Sequence, residues 1–352
     1  MTADRHVAVV PGDDAAPEAV DATMSVLEQL ALPVTWTVLK PGESLTAELA
    51  DASDTVLFGS SNGHTGGLMQ LRFGWGTYAN VRPVRYIPGV PSSLRRPDDV
   101  DYVIVHEALE DVYAGIEGPL SRLAAAGVDL TTQYETAGTR LRYPFTAAGE
   151  GVYGIKIYTR EGVERVARFA AALALRRKAQ GHAGRVTIGG KWNVNPGTDG
   201  FFHDVARAVI EETPGVACDS CLADDLGRRF VMSPEQFDVV LLPNLLGDVL
   251  SDVGAGTVGG LGMAPSGGYG DSRAYFEPVH GSAPDIAGRN VINPTATLLS
   301  AAMMLDHLGL TDAAQRLDSA VRTVISAGDC ATPDLGGTAS TGEFARAVAG
   351  SC

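Results

Sequence analysis

Short apolar runs alternate along this chain with stretches whose apolar residues recur at helical spacing, almost from end to end. His6–Val10, Thr55–Phe58, Tyr102–Val105, Arg185–Ile188 and Phe237–Leu242 read as strands. Pro17–Leu30, Glu161–Arg177 and Phe201–Glu212 read as helices between them. In the second of these, Val163, Val166, Phe169 and Ala170 share a face, and Arg176-Arg177-Lys178 suits the negative end of a helix dipole. Asn293-Pro294 predicts a cap followed by proline in the first turn of a helix through Met303 and Met304. Strand and helix alternating in this way predicts an α/β fold with a mostly parallel sheet covered by helices. Gly259–Gly270 and Arg140–Tyr153 are rich in turn residues. No repeat, low-complexity tract or composition shift marks a domain boundary.

One helix start raises a chemical question. The apolar run Val239–Leu242 leads through Pro243 into a glycine-interrupted helical segment carrying Asp248 and Asp252. Residues four apart share a helix face, so these carboxylates repel each other. Capping accounts for Asp248 but not for Asp252, a full turn further in. A solvated acidic face is the common alternative. A hard divalent cation would turn the repulsion into shared coordination, and strand ends are where open α/β sheets bind ligands.

Composition narrows the classes. The formal net charge is −15, which argues against nucleic acid and against anionic membrane surfaces. No apolar stretch approaches the ~18 residues of a membrane span, and the opening MTADRHVAVVPGDD lacks a signal pattern. Four cysteines do not make a disulfide framework, so a cytoplasmic protein with reduced thiols is expected. Cys218 and Cys221 form a lone C-x-x-C, more often coincidence than a redox or metal site. No G-x-G-x-x-G opens a helix, because Gly260-x-Gly262 is followed by Pro265, and there is no phosphate-binding G-x-x-x-x-G-K-[ST].

Rare side chains gather in four other places. Arg72, Arg82 and Arg85 lie close together, and arginine forks suit carboxylates and phosphates, with surface ion pairing as the plain alternative. Tyr113 follows the strand ending at Val105. Lys191 and Asn193 follow the strand ending at Ile188. Glu277-Pro-Val-His-Gly-Ser-Ala-Pro-Asp-Ile-Ala-Gly288 reads as a small-residue loop open to a ligand.

YANVRPV, EDVYAGIEG, FDVVLLPNLLGDVLSDVGAGTVGGLGMAP and FEPVHGSAPDIAGRNVINPTATLLSAAMML, in this order and spacing, resemble the isocitrate/isopropylmalate dehydrogenase family of metal-dependent β-decarboxylating dehydrogenases. That group also holds tartrate and D-malate enzymes. The resemblance runs from Val7 to Gly337. It implies a two-domain αβα sandwich without a G-x-G-x-x-G fingerprint, with residues 1–98 and 255–352 as the larger nucleotide-binding domain. Residues 99–254 would form the smaller domain, with metal and substrate residues and the dimer interface.

The resemblance also implies roles. Asp224, Asp248 and Asp252 match metal ligands for Mg2+ or Mn2+, and Tyr113 and Lys191 match the catalytic pair. Asp224 and Lys191 would come from the partner of a homodimer. Arg72 and Arg82 match arginines that bind the carboxylates of a small anionic substrate. The cation would chelate the substrate hydroxyl and neighbouring carboxylate, Lys191 would take the hydroxyl proton as hydride leaves, and Tyr113 would protonate the carbon after CO2 departs. His280, Gly281, Ala283, Asp285, Ile286 and Asn293 match adenosine contacts. A carboxylate at 285 accepts from a ribose 2′-hydroxyl and repels a 2′-phosphate. With Pro333 and Gly337 at the phosphate-reading positions, NAD is expected over NADP.

Three departures bear on the substrate. His106 stands where the family carries a third carboxylate-binding arginine, offering one hydrogen bond in place of a fork. Gly66 and Leu68 replace the polar residues of isocitrate readers, while Thr65 replaces a glutamate of isopropylmalate enzymes; together with Met69, Leu68 makes an apolar wall. The turn Gly12-Asp-Asp-Ala-Ala-Pro-Glu18 replaces the familiar G-D-G-I-G-P-E. A 3-substituted malate other than isocitrate is therefore expected, with isopropylmalate, tartrate and D-malate as alternatives. So is phosphonomethylmalate, whose arm would meet Thr65, His64, Arg85, Arg95 or Arg96. A non-catalytic subunit is the competing class.

Overall fold

In the computed structural model the described residues are 5–128, 131–136, 139–144 and 150–352. Ten strands form one mixed sheet. Four of them, Ala217–Leu222, Arg185–Gly190, Val239–Leu242 and Asp101–Glu107, lie side by side and parallel. Four more, Ala274–Pro278, Thr55–Phe58, Arg5–Val10 and Val34–Val38, form a second parallel set. Ala79–Arg85 and Pro265–Tyr269 join the sets through three antiparallel pairings, so the sets run in opposite directions. The four strands that residues 99–254 give to this sheet lie on one side of the Ala79–Arg85/Asp101–Glu107 pairing, and their other described strands form two separate two-stranded sheets.

Alternation along the strands explains the layers, because successive side chains leave opposite faces. Tyr102, Ile104, Val240 and Leu242 pack under helices Ala223–Met232 and Asn244–Thr257 through Leu226, Phe230 and Leu250. Val103, Val105, Val186 and Ile188 pack on the other face under Arg160–Ala179 and Asp199–Glu211. In the second parallel set, Val7, Val9, Leu57 and Phe276 meet helices Ala16–Gln29, Thr295–His307, Thr311–Ala327 and Thr341–Ser351. Their neighbours Ala8, Val10, Val56 and Phe58 face Leu45, Ala50 and Leu71. The arrangement is an αβα sandwich. Among the described residues no helix is long and apolar enough to cross a membrane.

Three local expectations need correction. Gly259–Gly270 is not simply a turn: it holds the strand Pro265–Tyr269. Its glycines are there for close packing, since a Cβ on Gly267 or Gly268 would lie 2.9 or 2.3 Å from the Phe276 or Tyr275 ring. Pro294 is itself the cap of the helix beginning at Thr295, and Asn293 accepts the Thr295 N–H at 3.0 Å. The Arg140–Tyr153 zone contains the strand Thr139–Pro144, and residues 145–149 lie outside the described residues.

Candidate active site

The helix Asn244–Thr257 presents Asp248 and Asp252 to Arg82, which projects from the strand Ala79–Arg85. The guanidinium lies 3.0 Å from Asp248 and 3.5 Å from Asp252, and donates to the Ser251 hydroxyl at 2.6 Å. Burial works against ionisation of Asp248, but Arg82 and the Tyr113 hydroxyl outweigh it and hold the carboxyl below its ordinary range. Asp252 is pushed up instead, by burial and by the charge of Asp248, with Arg82 only partly opposing. The pair thus carries an electrostatic conflict that one cation relieves incompletely.

Tyr113 reaches this pair through a pinned loop. Asp111, at φ 67°, accepts the Val112 N–H at 2.8 Å and the Leu245 N–H at 3.1 Å, tying the loop to the first turn of the helix. The Tyr113 hydroxyl then donates to Asp248 at 2.8 Å. Burial and the Asp248 carboxylate push its pKa up to about 12, so it stays a proton donor at neutral pH. Arg72, on the π-helical turn Gln70–Gly74, has its guanidinium by Tyr275, Glu277 and Asp248; its buried Nε has no partner among the described residues.

His106 behaves differently from the expected single donor. Its Nδ1 lies 2.7 Å from the Glu107 carbonyl, which only accepts, so Nδ1 carries the proton. Burial, then the Arg82 charge, pull its pKa down to about 3. The neutral ring therefore offers Nε2 as an acceptor, buried and without a partner among the described residues. It cannot replace a carboxylate-binding arginine. Gly247 lets it sit there, since a Cβ would be 2.1 Å from that of His106.

Lys191 and Asp224 lie apart from this cluster. Lys191 follows the strand Arg185–Gly190, its N–H donating to Asp199 at 3.2 Å, and its Nζ pairs with Asp224 at 2.6 Å. The partner of the lysine within one chain is thus an anion. Among the described residues no three His, Cys, Asp or Glu side chains gather closely enough to hold a metal, so one chain does not bring Asp224 to Asp248 and Asp252.

The expected nucleotide residues do converge. His280, Gly281, Ala283, Ile286 and Asn293 line a cavity of about 340 Å³ with Gly262, Val291, Ile292 and Asp334. Asp285 is not part of the lining; it sits on the short turn Pro284–Ile286. A larger cavity of about 460 Å³ lies among Val81, Pro83, Tyr269, Met303 and Arg322, on the face of the strand Ala79–Arg85 away from the Arg82 side chain, and contains none of the expected site residues.

Of the candidates for a substrate's arm, Leu68 is half-buried and Met69 exposed. Thr65 is buried and donates its hydroxyl to Asp13 at 2.5 Å. Arg85 pairs with Asp101 and Asp318, and Arg96 with Glu235. Cys218 and Cys221, three apart on one strand, leave opposite faces, and burial raises both thiols to about 11. Neither redox nor metal chemistry is served by that pair.

The isocitrate/isopropylmalate dehydrogenase family profile matches residues 6–348. The chain belongs to this family. It is 40% identical to the 3-isopropylmalate/3-methylmalate dehydrogenase of Methanocaldococcus jannaschii over 97% of each chain. It is 38% identical to the isocitrate/homoisocitrate dehydrogenase of Thermus thermophilus, again over 97% of each. The crystal structure of isocitrate dehydrogenase from Methylococcus capsulatus superposes with a TM-score of 0.82 at 32% identity, covering 99% of each chain. The family's enzymes are decarboxylating dehydrogenases that use NAD with Mg2+ or Mn2+.

The residues fit both groups. His280 Nε2 is buried without a partner among the described residues, and Asn293 is fixed beside it in the cavity by a 2.9 Å bond to Asp334. The conflicting Asp248–Asp252 pair is a hard-oxygen donor set suited to a divalent cation. Sequence reasoning about the family passed over Asp13, Asp111, Ser251 and Asp334. Asp334 stands between Pro333 and Gly337, and Asp111 in EDVYAGIEG, yet only their contacts reveal what they hold.

Proposed function

We propose that this protein is an NAD- and divalent-metal-dependent enzyme that oxidatively decarboxylates a 3-substituted malate other than isocitrate. The observation that carries this reading is the joint placement of Arg82, Asp248, Asp252 and Tyr113. When bound, the cation supplies charge stabilisation at the substrate oxygens and NAD accepts the hydride. Asp248 and Asp252 hold the cation, and Arg72 and Arg82 bind the carboxylates. Tyr113, a protonated hydroxyl beside Asp248, returns a proton to carbon. Lys191, with Asp224 of the same chain, serves as base in the site of a second copy. That requirement is supported by Leu245, Val249 and Val253, 41, 56 and 37% exposed, an apolar stripe at four-residue spacing on the helix that carries the aspartates.

Residues 1–98 with 255–352 then form one lobe and 99–254 the other, meeting at the antiparallel pair Ala79–Arg85 and Asp101–Glu107. The four unpaired cysteines suit a reducing cytoplasm. Exposed Met69 and Phe73, beside Leu68, favour a small apolar 3-substituent. A phosphonate arm has fewer partners, since Thr65, Arg85 and Arg96 are committed elsewhere.

The test follows NADH absorbance with NAD and Mn2+ across malate, tartrate, isocitrate, isopropylmalate, 3-methylmalate, homoisocitrate and phosphonomethylmalate. Turnover is expected on an apolar-armed malate, falling at least about a hundredfold in Asp252→Asn as the cation's charge stabilisation is lost. Unchanged turnover in that variant would refute the metal role. Silence on the whole panel with NAD still bound would favour a non-catalytic subunit.

A further inference from the structure

The turn after the first strand touches two loops at once. On one side, Asp13 accepts the Ser61 hydroxyl at 2.7 Å, the Asn62 N–H at 2.9 Å and the Thr65 hydroxyl at 2.5 Å. On the other, the Ala15 N–H donates to the Ser282 carbonyl at 3.0 Å. Asp14 belongs to both sides: its Oδ2 accepts the Asn62 side-chain amide at 2.7 Å and the Ser282 hydroxyl at 2.5 Å. Asn62 and Thr65 lead into Leu68, Met69 and Arg72. Ser282 lies between Gly281 and Ala283, both in the cavity lining.

Asp14 holds φ 53°, a left-handed conformation that disfavours side chains, though aspartate less than most. Glycine, which the familiar form of this turn carries there, adopts that φ freely but has no carboxylate to offer. The chain thus keeps a strained residue whose carboxylate joins the two loops.

We propose that Asp14 is a positioning residue that couples occupancy of the nucleotide loop, residues 280–288, to the order of the substrate loop, residues 61–66. The coupling rests on the nucleotide reading given above. A nucleotide seated on Gly281 and Ala283 restrains Ser282, which restrains Asp14, which restrains Asn62. By linkage the effect is reciprocal, so an ordered substrate loop tightens nucleotide binding equally. Asp13 does not share the role, because its carboxylate bonds run only to the substrate loop.

Hydrogen exchange read by mass spectrometry, with and without NAD, tests this on the full chain without any substrate. In the wild type, NAD should slow exchange across 61–66 about tenfold, within the usual span of coupling between sites. Asp14→Gly should keep its Tm and bind NAD, yet lose most of that protection, and Asp14→Asn should restore part of it through its amide oxygen. Asn62→Ala and Ser282→Ala each cut one arm of the Asp14 link, and either should lower the protection as much as both together, leaving only what the Ser60 hydroxyl's bond to the His280 carbonyl and the Ala15 N–H bond to the Ser282 carbonyl transmit. Undiminished protection in Asp14→Gly, or NAD binding to the wild type with no protection at 61–66, would overturn the coupling alone. Absence of any NAD binding by calorimetry would overturn the nucleotide reading and the coupling with it.

Discussion

Asp13 gathers more hydrogen bonds on its carboxylate than any group the motifs singled out. Burial favours its neutral form, but the bonds from Thr65, Ser61 and Asn62 prevail and bring its pKa down to about 2. The unfolded carboxyl titrates near 3.8, so the native state binds fewer protons between the two values. Its contribution is therefore fully present above about pH 4 and lost as pH falls toward 2. Asp13→Asn should cost on the order of 2 kcal/mol at pH 7, the worth of hydrogen bonds to a charged group. Urea unfolding across pH should show a flatter acid limb in the variant; an identical limb would refute the assignment. The sequence marked this turn as unusual but could not say what it touched. Likewise His106 was visible as a substitution, while its proton on Nδ1 depends on a carbonyl that only the folded chain brings near.

At the level of elements, short apolar runs and apolar residues at regular helical spacing were the legible signals. Thr55–Phe58 matches its predicted bounds, and Arg160–Ala179 extends the predicted helix by only one or two residues at each end. Pro265–Tyr269 escaped because strand identity there depends on tertiary contact: Ser-Gly-Gly has no β-propensity of its own. Two glycines therefore separate cleanly. Gly268→Ala should destabilise by about 2 kcal/mol or more through overpacking against Tyr275. Gly256→Ala, on an exposed helical position with nothing within 4 Å, should stabilise by up to about 1 kcal/mol. Thermal or urea unfolding of both variants decides it, and equal effects would contradict the packing account.

For the whole molecule, the decisive fact is that Lys191 and Asp224 stay together and away from Asp248 and Asp252. Motifs supplied the residue types and the resemblance supplied the expectation of a shared site; the folded chain adds that the two pairs stand apart among the described residues. Asp224→Asn and Asp252→Asn should each be inactive alone. Co-expressed, they should recover about a quarter of wild-type activity, because half of randomly formed dimers are mixed and each mixed dimer has one intact site. No recovery would mean that each chain works alone or that the roles are misassigned.

The stripe Leu245, Val249 and Val253 interleaves with Asp248 and Asp252 on one helix, so in the proposed dimer covering the apolar face and completing the site would be the same event. Mass action follows from that geometry. Specific activity should fall on dilution once the protein concentration drops below the dissociation constant of the dimer. A cation that binds only the completed site must move that point to lower concentration. A dilution series with and without Mn2+ would show the two curves displaced, and a flat, concentration-independent pair would rule the linkage out.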